Sequence, residues 1–179
     1  MMAIEVETKA WAMERVEEIR TMLREWAEYR GEFDKRDTYF CLPGQKQSLF
    51  RIRREAHAHT VTYKHKQRSA GFEVNREHEF TVGNADEFIA FSRYIGYEVC
   101  IEKHKQGELF AFGDAGIELS HIEGLGWFVE IEVLVEEQTE VQAARRRVGE
   151  VLQKLDISED KIESRYYNEM LQNIIDEER

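Results

Sequence analysis

The chain opens with a strict alternation of apolar or neutral residues and charged ones. In "IEVETK", which starts at Ile4, the charged positions are Glu5, Glu7 and Lys9. Successive side chains of a β-strand point to opposite faces. The segment therefore predicts a strand with two carboxylates and an ammonium group on one face.

Four later stretches carry apolar residues every three to four positions, which predicts amphipathic helices. Asn84 is the predicted N-cap of the second helix, and Gly96 lies just past its end. The helical stretches are "MERVEEIRTMLREWAEY" from Met13, "NADEFIAFSRYI" from Asn84, "EQTEVQAARRRVGEVLQKL" from Glu137, and a final one from about Ser158 to the end of the chain.

Extended segments fill the sequence between these helices, and Pro43-Gly44 predicts a turn among them. No linker rich in Gly, Ser or Pro divides the chain, so we predict a mainly antiparallel α+β fold with a single domain over residues 1–179. The predicted strands after the first are "FDKRDTYFCL" from Phe33, "SLFRIRRE" from Ser48, "HTVTYKHK" from His59, "FEVNREHEFTV" from Phe72, "YEVCIEKHK" from Tyr97, "GELFAFGD" from Gly107, "GIELSHIE" from Gly116 and "WFVEIEVLV" from Trp127.

Pairs of like charges, two residues apart, recur on these strands. A single pair is most simply the solvated face of an antiparallel sheet. A surface selected for solubility, however, intersperses the two signs instead of grouping them by strand. About eight such strands closed into a barrel would enclose a charged lumen, with helices covering the apolar outside. The pairs are Arg51 and Arg53, Glu77 and Glu79, Lys103 and Lys105, and Glu130 and Glu132.

A charged lumen needs a ligand, because each desolvated ion carries a penalty of several kcal/mol. Arginine and lysine suit phosphate oxygens, arginine by its forked donors and lysine as a point charge. Clustered glutamates suit Mg²⁺ or Mn²⁺, which take oxygen ligands and bridge to substrate phosphates. A polyphosphate together with a divalent metal would satisfy both sets.

Composition narrows the class of protein further. The net charge of −11 argues against a nucleic-acid binder that depends on a broad basic surface. Cys41 and Cys100 belong to no CxxC pair, so neither a zinc site nor a disulfide framework is predicted. The sequence shows no signal peptide and no apolar run of ~20 residues, so we expect a cytoplasmic protein that does not cross a membrane.

An ordered set of motifs resembles the CYTH superfamily, the triphosphate tunnel metalloenzymes that include class IV adenylyl cyclases, thiamine triphosphatases and inorganic triphosphatases. The resemblance runs from Ile4 to Leu171, and the block "GLGWFVEIE" is closest to the cyclase branch. The motifs are ExExK at Glu5, "DTYF" from Asp37, "FRIR" from Phe50, "VTYK" ending at Lys64, "REHE" from Arg76, "EKHK" from Glu102, "GLGWFVEIE" from Gly124 and "SRYYNEML" near the end.

The resemblance implies an eight-stranded antiparallel β-barrel with a charged interior, and it implies roles for individual residues. Glutamates on the first and last barrel strands would hold Mg²⁺ or Mn²⁺, namely Glu5, Glu7, Glu130 and Glu132. Basic residues would bind the triphosphate, namely Lys9, Arg51, Arg53, Lys64, Arg76, Lys103, Lys105 and Arg165. Among these, Lys9, Arg53 and Lys64 are the expected catalytic residues.

Two departures from the family pattern affect this assignment. Relatives commonly carry Asp where "LSHIEGLG" has Ser120, which implies either the loss of one metal ligand or its replacement by Glu132 or water. Lys103 and Lys105 stand where the family tends to have Lys-x-Arg, which exchanges a bidentate fork for a point charge.

Three functions stay open at this point. Closeness to the cyclase branch favours conversion of ATP to cyclic AMP and pyrophosphate. The same side chains would serve a triphosphatase acting on tripolyphosphate, thiamine triphosphate or nucleoside triphosphates. A non-catalytic protein that binds nucleotides or polyphosphate would keep the basic residues and tolerate Ser120. A homodimer is also left open by the sequence.

Overall fold

The computed structural model describes residues 4–69 and 72–177, and for residues 65–69 it describes the backbone alone. These residues form a long antiparallel sheet and four α-helices. The strands are β1 (Ile4–Trp11), β2 (Glu28–Cys41), β3 (Phe50–Arg54), β4 (His59–Ser69), β5 (Phe72–Thr81), β6 (Glu98–Phe112), β7 (Ala115–Ile122), β8 (Gly126–Val135) and β9 (Ile162–Glu163). The helices are α1 (Val16–Trp26), α2 (Ala85–Tyr94), α3 (Val141–Lys154) and α4 (Tyr167–Glu177).

The first eight strands close into a barrel. Their order is β1-β5-β4-β3-β2-β6-β7-β8, and β8 pairs with β1 again, every pairing being antiparallel. Val6 of β1 stands opposite Val74 of β5 on one side and Val133 of β8 on the other. The predicted α+β fold with an eight-stranded antiparallel barrel is therefore confirmed.

The barrel has an apolar outer face and a charged inner face, as the alternation along its strands predicts. Fully buried residues such as Val6, Ile117 and Ile131 face outward and pack in one core with Leu23 of α1 and Val148 of α3. A second apolar cluster lies between α2 and the barrel and contains Phe40, Ile52 and Phe88. Helices thus cover the apolar outside, which leaves the inner positions for charge.

Apolar side chains from the last helix and from two strands fill part of the barrel interior. Tyr167 and Met170 of α4 form a buried cluster with Ile122 and Phe128, which lie near the ends of β7 and β8. The Tyr167 ring meets the Phe128 ring edge-on at 5.0 Å and 80°. This layer forms an apolar base next to the charged side chains of the same strands.

Two element boundaries differ from the sequence prediction because long strands pair along their whole length. α1 ends at Trp26, and β2 begins at Glu28 instead of Phe33, where it pairs with β6 from Ala111 onward. β6 is one strand across the predicted break at Gly107. A Cβ atom at Gly107 would lie 2.3 Å from the Leu119 carbonyl oxygen, so this glycine permits close approach to β7 and does not mark a turn.

The C-terminal region also begins differently. The predicted helix from Ser158 is replaced by a short turn at 159–161 and by β9, whose Ile162 pairs with Ala10 of β1, before α4 starts at Tyr167. The last two residues of the predicted helix, 178–179, lie outside the described residues. The cap prediction is confirmed, since the Asn84 side chain accepts hydrogen bonds from the Asp86 and Glu87 backbone N–H groups.

Within the described part of the chain, none of the helices has the length and apolar character needed to cross a membrane.

Candidate active site in the barrel

A cavity of about 1120 Å³ occupies the charged interior of the barrel. Its wall is made by inward-facing positions of the barrel strands together with α4 and the segment between β2 and β3. Most of the predicted site residues line it, namely Glu5, Glu7, Glu130 and Glu132 among the acidic ones, and Lys9, Arg51, Arg53, Lys64, Lys103 and Lys105 among the basic ones.

Two predicted phosphate contacts do not reach this wall. Arg76 is exposed and alternates on β5 with Asn75 and Glu77, which belong to the inner face. Arg165 keeps 52% of its side chain exposed and donates hydrogen bonds to the Glu163 carboxylate at 2.6 and 2.9 Å. The structure therefore does not bring these two guanidinium groups together with the other basic residues.

Three of the four predicted metal ligands form one acidic cluster. Carboxylate oxygens of Glu5, Glu7 and Glu132 lie within 4.8 Å of one another. The pairing of β1 with β8 sets Glu7 directly opposite Glu132. Glu130, by contrast, forms an ion pair with Lys105. The three clustered carboxylates offer the hard oxygen ligands that Mg²⁺ and Mn²⁺ prefer.

Crowding of the carboxylates changes their protonation. Burial and the neighbouring Glu5 carboxylate raise the pKa of Glu7 well above its ordinary value, and burial with Glu5 and Glu118 raises the pKa of Glu132 to about 8. Burial acts in the same direction on Glu5, but Lys64 and hydrogen bonds hold the pKa of Glu5 far below its usual range. Without a metal, Glu7 and Glu132 thus tend to keep their protons, which reduces the repulsion between the three carboxylates. A divalent cation would reduce this repulsion further, so the cluster fits a metal ion.

This protonation makes the stability of the metal-free protein depend on pH. Glu132 has an ordinary pKa of 4.5, and its folded-state pKa is about 8, so the folded protein binds more protons between these values. The stabilisation is complete below about pH 4.5 and is lost as the pH rises through 8. We expect the free energy of unfolding, measured with urea in the presence of a chelator, to fall by about 1–3 kcal/mol from pH 6 to pH 9.

Glu132→Gln should make this decline smaller, because the amide does not ionise. Glu7 and Glu77, whose pKa values burial also raises, should keep part of the decline. Glu136→Gln, an exposed position just beyond β8, should leave the decline as it is in the unmodified protein. A free energy of unfolding that stays level or increases over this pH range in the unmodified protein would contradict the assignment.

A single buried carboxylate organises one part of the basic wall. The Asp37 side chain has no exposed surface, and Arg53 donates two hydrogen bonds to it at 2.7 and 3.0 Å. Arg51 lies 3.3 Å from the same carboxylate and Lys103 lies 2.9 Å from it. Although burial opposes ionisation, these three cations hold the pKa of Asp37 well below its ordinary value. Asp37 thus holds three cations side by side.

The other cavity lysines are also paired with carboxylates. Lys105 lies between Glu118 and Glu130, and Lys35 contacts Glu118 at 2.6 Å. Lys9 pairs with Glu73, whereas Lys64 pairs with Glu77 and with Glu5, the latter at 2.8 Å. Burial lowers the pKa of Lys105, but the two carboxylates beside it raise that pKa overall, so the ammonium stays charged.

Sequence reasoning missed several of these charged residues. Lys35, Asp37, Glu73 and Glu118 were assigned no role, although each lies two residues from another inward-facing position on its strand. The alternation of inward and outward positions, followed along each whole strand, would have placed these four residues on the inner face. The sequence-based prediction used it only where two like charges stand two residues apart.

Ser120 does not line the cavity. It is fully buried opposite Gly107 and Phe128, and its hydroxyl has no hydrogen-bond partner among the described residues. The carboxylate that β7 does present to the cavity is Glu118, two residues earlier, where it stands opposite Glu130.

Comparison with known proteins agrees with this architecture. The model of the family described as the CYTH domain matches residues 3–167. The chain belongs to the CYTH domain family. CYTH membership was the prediction made from the ordered motifs, and it is confirmed over nearly the whole chain.

Individual CYTH relatives are distant in sequence. The chain is 23% identical over 97 residues to adenylate cyclase CyaB of Aeromonas hydrophila, an alignment that covers 54% of this chain and 51% of that protein. It therefore matches only about half the length of this curated relative.

Solved structures match more completely. The PH1819 protein from Pyrococcus horikoshii is 26% identical, with a TM-score of 0.80 and coverage of 97% of this chain and 99% of that one. HpAC1 from Hippeastrum is 13% identical, with a TM-score of 0.67 and coverage of 97% and 96%. The second likeness shows the CYTH fold alone.

Proposed function

We propose that this CYTH protein is a metal-dependent enzyme that converts ATP to cyclic AMP and pyrophosphate in its barrel cavity. The observation that carries the proposal is the division of the cavity wall into a basic part and an acidic cluster whose oxygens lie within 4.8 Å of one another. The likeness to adenylate cyclase CyaB of Aeromonas hydrophila supports the choice of reaction.

The basic residues would hold the triphosphate. Arg53 and Arg51 present forked donors, and Lys103 and Lys105 present point charges on the neighbouring part of the wall. Lys9 and Lys64 would complete the set, with Lys9, Arg53 and Lys64 nearest to the reacting phosphate as catalytic residues. Buried carboxylates hold these cations close together before the substrate arrives, so the positive charge that a triphosphate needs is already in place.

Glu5, Glu7 and Glu132 would hold Mg²⁺ or Mn²⁺. When bound, the ion would offset negative charge on the phosphates and polarise the phosphoryl group whose phosphorus is attacked. Glu130 is a further proposed ligand, and it becomes available once a phosphate oxygen takes its place beside the Lys105 ammonium group. Substrate and metal binding should therefore favour each other.

The cavity favours a nucleotide over an inorganic triphosphate. Pockets that hold whole organic ligands span about 300–1,000 Å³. The cavity, at about 1120 Å³, therefore has room for a nucleoside in addition to a triphosphate chain. Uncharged amides and the Tyr166 ring line the part formed by α4 and the segments before α4 and β3, beside the ion pair of Lys46 with Asp176. These uncharged side chains suit the edges and faces of a base, and they are Gln47, Tyr166, Gln172 and Asn173.

The nucleophile decides the product. Attack of the ribose 3′-hydroxyl on the α-phosphorus forms the cyclic ester and releases pyrophosphate, and the hydroxyl proton leaves to solvent or a carboxylate. Attack of water on the terminal phosphorus would instead release inorganic phosphate. HpAC1 from Hippeastrum is described as having a dominant triphosphatase activity, which supports hydrolysis as the second candidate function.

A substrate panel tests the proposal. We expect purified protein with Mn²⁺ or Mg²⁺ to convert ATP to cyclic AMP and pyrophosphate in equal amounts, measured by chromatography and a coupled pyrophosphate assay. Release of phosphate from ATP, tripolyphosphate or thiamine triphosphate without cyclic nucleotide would replace the cyclase proposal with the triphosphatase. Tight binding of all three compounds without turnover would show a non-catalytic binding protein.

A further inference from the structure

Tyr167 lines the cavity but is not among the site residues predicted from the sequence. It is the first residue of α4 and only 7% exposed. Its edge-on contact with Phe128 at 5.0 Å fixes the direction in which the ring projects. The position of the phenol is therefore set by packing before any ligand binds.

Three ammonium groups surround this ring. The Nζ atoms of Lys9 and Lys103 lie 5.3 Å from the ring centroid, and Nζ of Lys105 lies 5.7 Å from it. Cations at this distance are attracted to the negative face of an aromatic ring. The ring therefore reduces the cost of placing three like charges close together, and all three lysines belong to the proposed triphosphate contacts.

The hydroxyl group of Tyr167 is buried without a hydrogen-bond partner among the described residues. Buried polar groups are nearly always hydrogen-bonded, so an unpaired one indicates a missing partner. The Glu130 carboxylate also acts on this hydroxyl, since burial and Glu130 together raise the pKa of Tyr167 well above its ordinary value. Glu130 is, however, not placed to accept a hydrogen bond from the phenol, and it pairs with Lys105. A neutral phenol donates a hydrogen bond, and next to three ammonium groups the acceptor best suited to complete it is an anionic oxygen.

We propose that Tyr167 binds the triphosphate directly, by donating a hydrogen bond from its hydroxyl to a non-bridging phosphate oxygen while its ring holds Lys9, Lys103 and Lys105 together. The inference rests on the proposed function, because it requires a triphosphate in the cavity. It assigns to α4 a direct part in phosphate binding, beside the strands that supply the cations.

The test is Tyr167→Phe, which keeps the ring and removes only the hydroxyl. We expect tripolyphosphate, titrated calorimetrically in the presence of Mg²⁺, to bind about 10- to 100-fold more weakly, as for the loss of a hydrogen bond to a charged group. The urea midpoint should stay the same or increase, since the hydroxyl has no partner to lose. Tyr97→Phe, which removes a hydroxyl outside the cavity wall, should change neither quantity.

The possible results separate this inference from the proposed function. If the unmodified protein binds neither tripolyphosphate nor ATP, the proposed function fails and the role of Tyr167 fails with it. If the unmodified protein binds and Tyr167→Phe binds equally well, the inference alone is overturned. A Tyr167→Phe protein that unfolds, or that loses stability at unchanged affinity, would show a structural hydrogen bond in place of a ligand contact and would also overturn it.

Discussion

Glu132→Gln is expected to reduce metal-dependent turnover of the triphosphate substrate by about 10²–10⁴-fold, because an ion that offsets phosphate charge contributes several kcal/mol to the transition state. Glu132 is one of three clustered carboxylates, and an amide oxygen is a weaker ligand for Mg²⁺ or Mn²⁺ than a carboxylate. The measurement is the initial rate at saturating substrate over a series of metal concentrations.

The raised pKa of Glu132 makes this variant easy to interpret. The buried carboxyl group already favours its neutral form up to about pH 8, so a neutral amide of the same shape should not unfold the protein. A loss of rate therefore cannot be attributed to lost structure, which circular dichroism and the urea midpoint verify. Glu136→Gln is the matched control, and it should keep the full rate. An unchanged rate for Glu132→Gln would remove Glu132 from the metal site.

Asp37→Asn is expected to lower the free energy of unfolding by about 3–5 kcal/mol, since it leaves buried cations without their counter-ion. The Asp37 carboxylate contacts Arg51, Arg53 and Lys103 at distances between 2.7 and 3.3 Å and has no exposed surface. Urea denaturation measures the loss. The same substitution at Asp34, which is half-exposed on the outer face of β2, should cost less than about 1 kcal/mol.

Tripolyphosphate should partly rescue Asp37→Asn. In the unmodified protein an incoming phosphate competes with the Asp37 carboxylate for the three cations, whereas the variant leaves these cations unneutralised. The increase in unfolding temperature caused by the ligand should therefore be larger for Asp37→Asn than for the unmodified protein. Equal stability of the Asp37→Asn and Asp34→Asn proteins would show that Asp37 does not hold the basic wall together.

The basic residues of the cavity are paired with carboxylates before any ligand binds. Lys64 pairs with Glu5, and Lys105 pairs with Glu130, so a basic phosphate contact and an acidic metal ligand share each ion pair. A triphosphate that draws the lysines away frees the glutamates for a metal, and the reverse also holds. We therefore expect triphosphate and metal to bind together more tightly than either binds alone.

The faces of the strands and the family could both be predicted from the amino-acid pattern. The period of two in "IEVETK" placed Glu5, Glu7 and Lys9 on one face, and it held in the barrel because the apolar positions between them, such as Val6, pack under the outer helices. The same period of two places Arg76 on the outer face of β5, because Glu77 next to it is on the inner face. The exposed position of Arg76 could therefore be predicted from the pattern, although the motif "REHE" led to its assignment as a phosphate contact.

Which charges contact each other depends on how the strands pair in three dimensions. Glu7 and Glu132 are 125 positions apart, and they face each other because β8 closes the barrel against β1 in one register. Asp37 lies among Arg51, Arg53 and Lys103 because β2 pairs with β3 on one side and β6 on the other. A periodic pattern fixes the face of a side chain, since it depends on adjacent residues alone. Strand order and register depend on pairing between distant segments, so they decide how the basic and acidic side chains are distributed around the cavity.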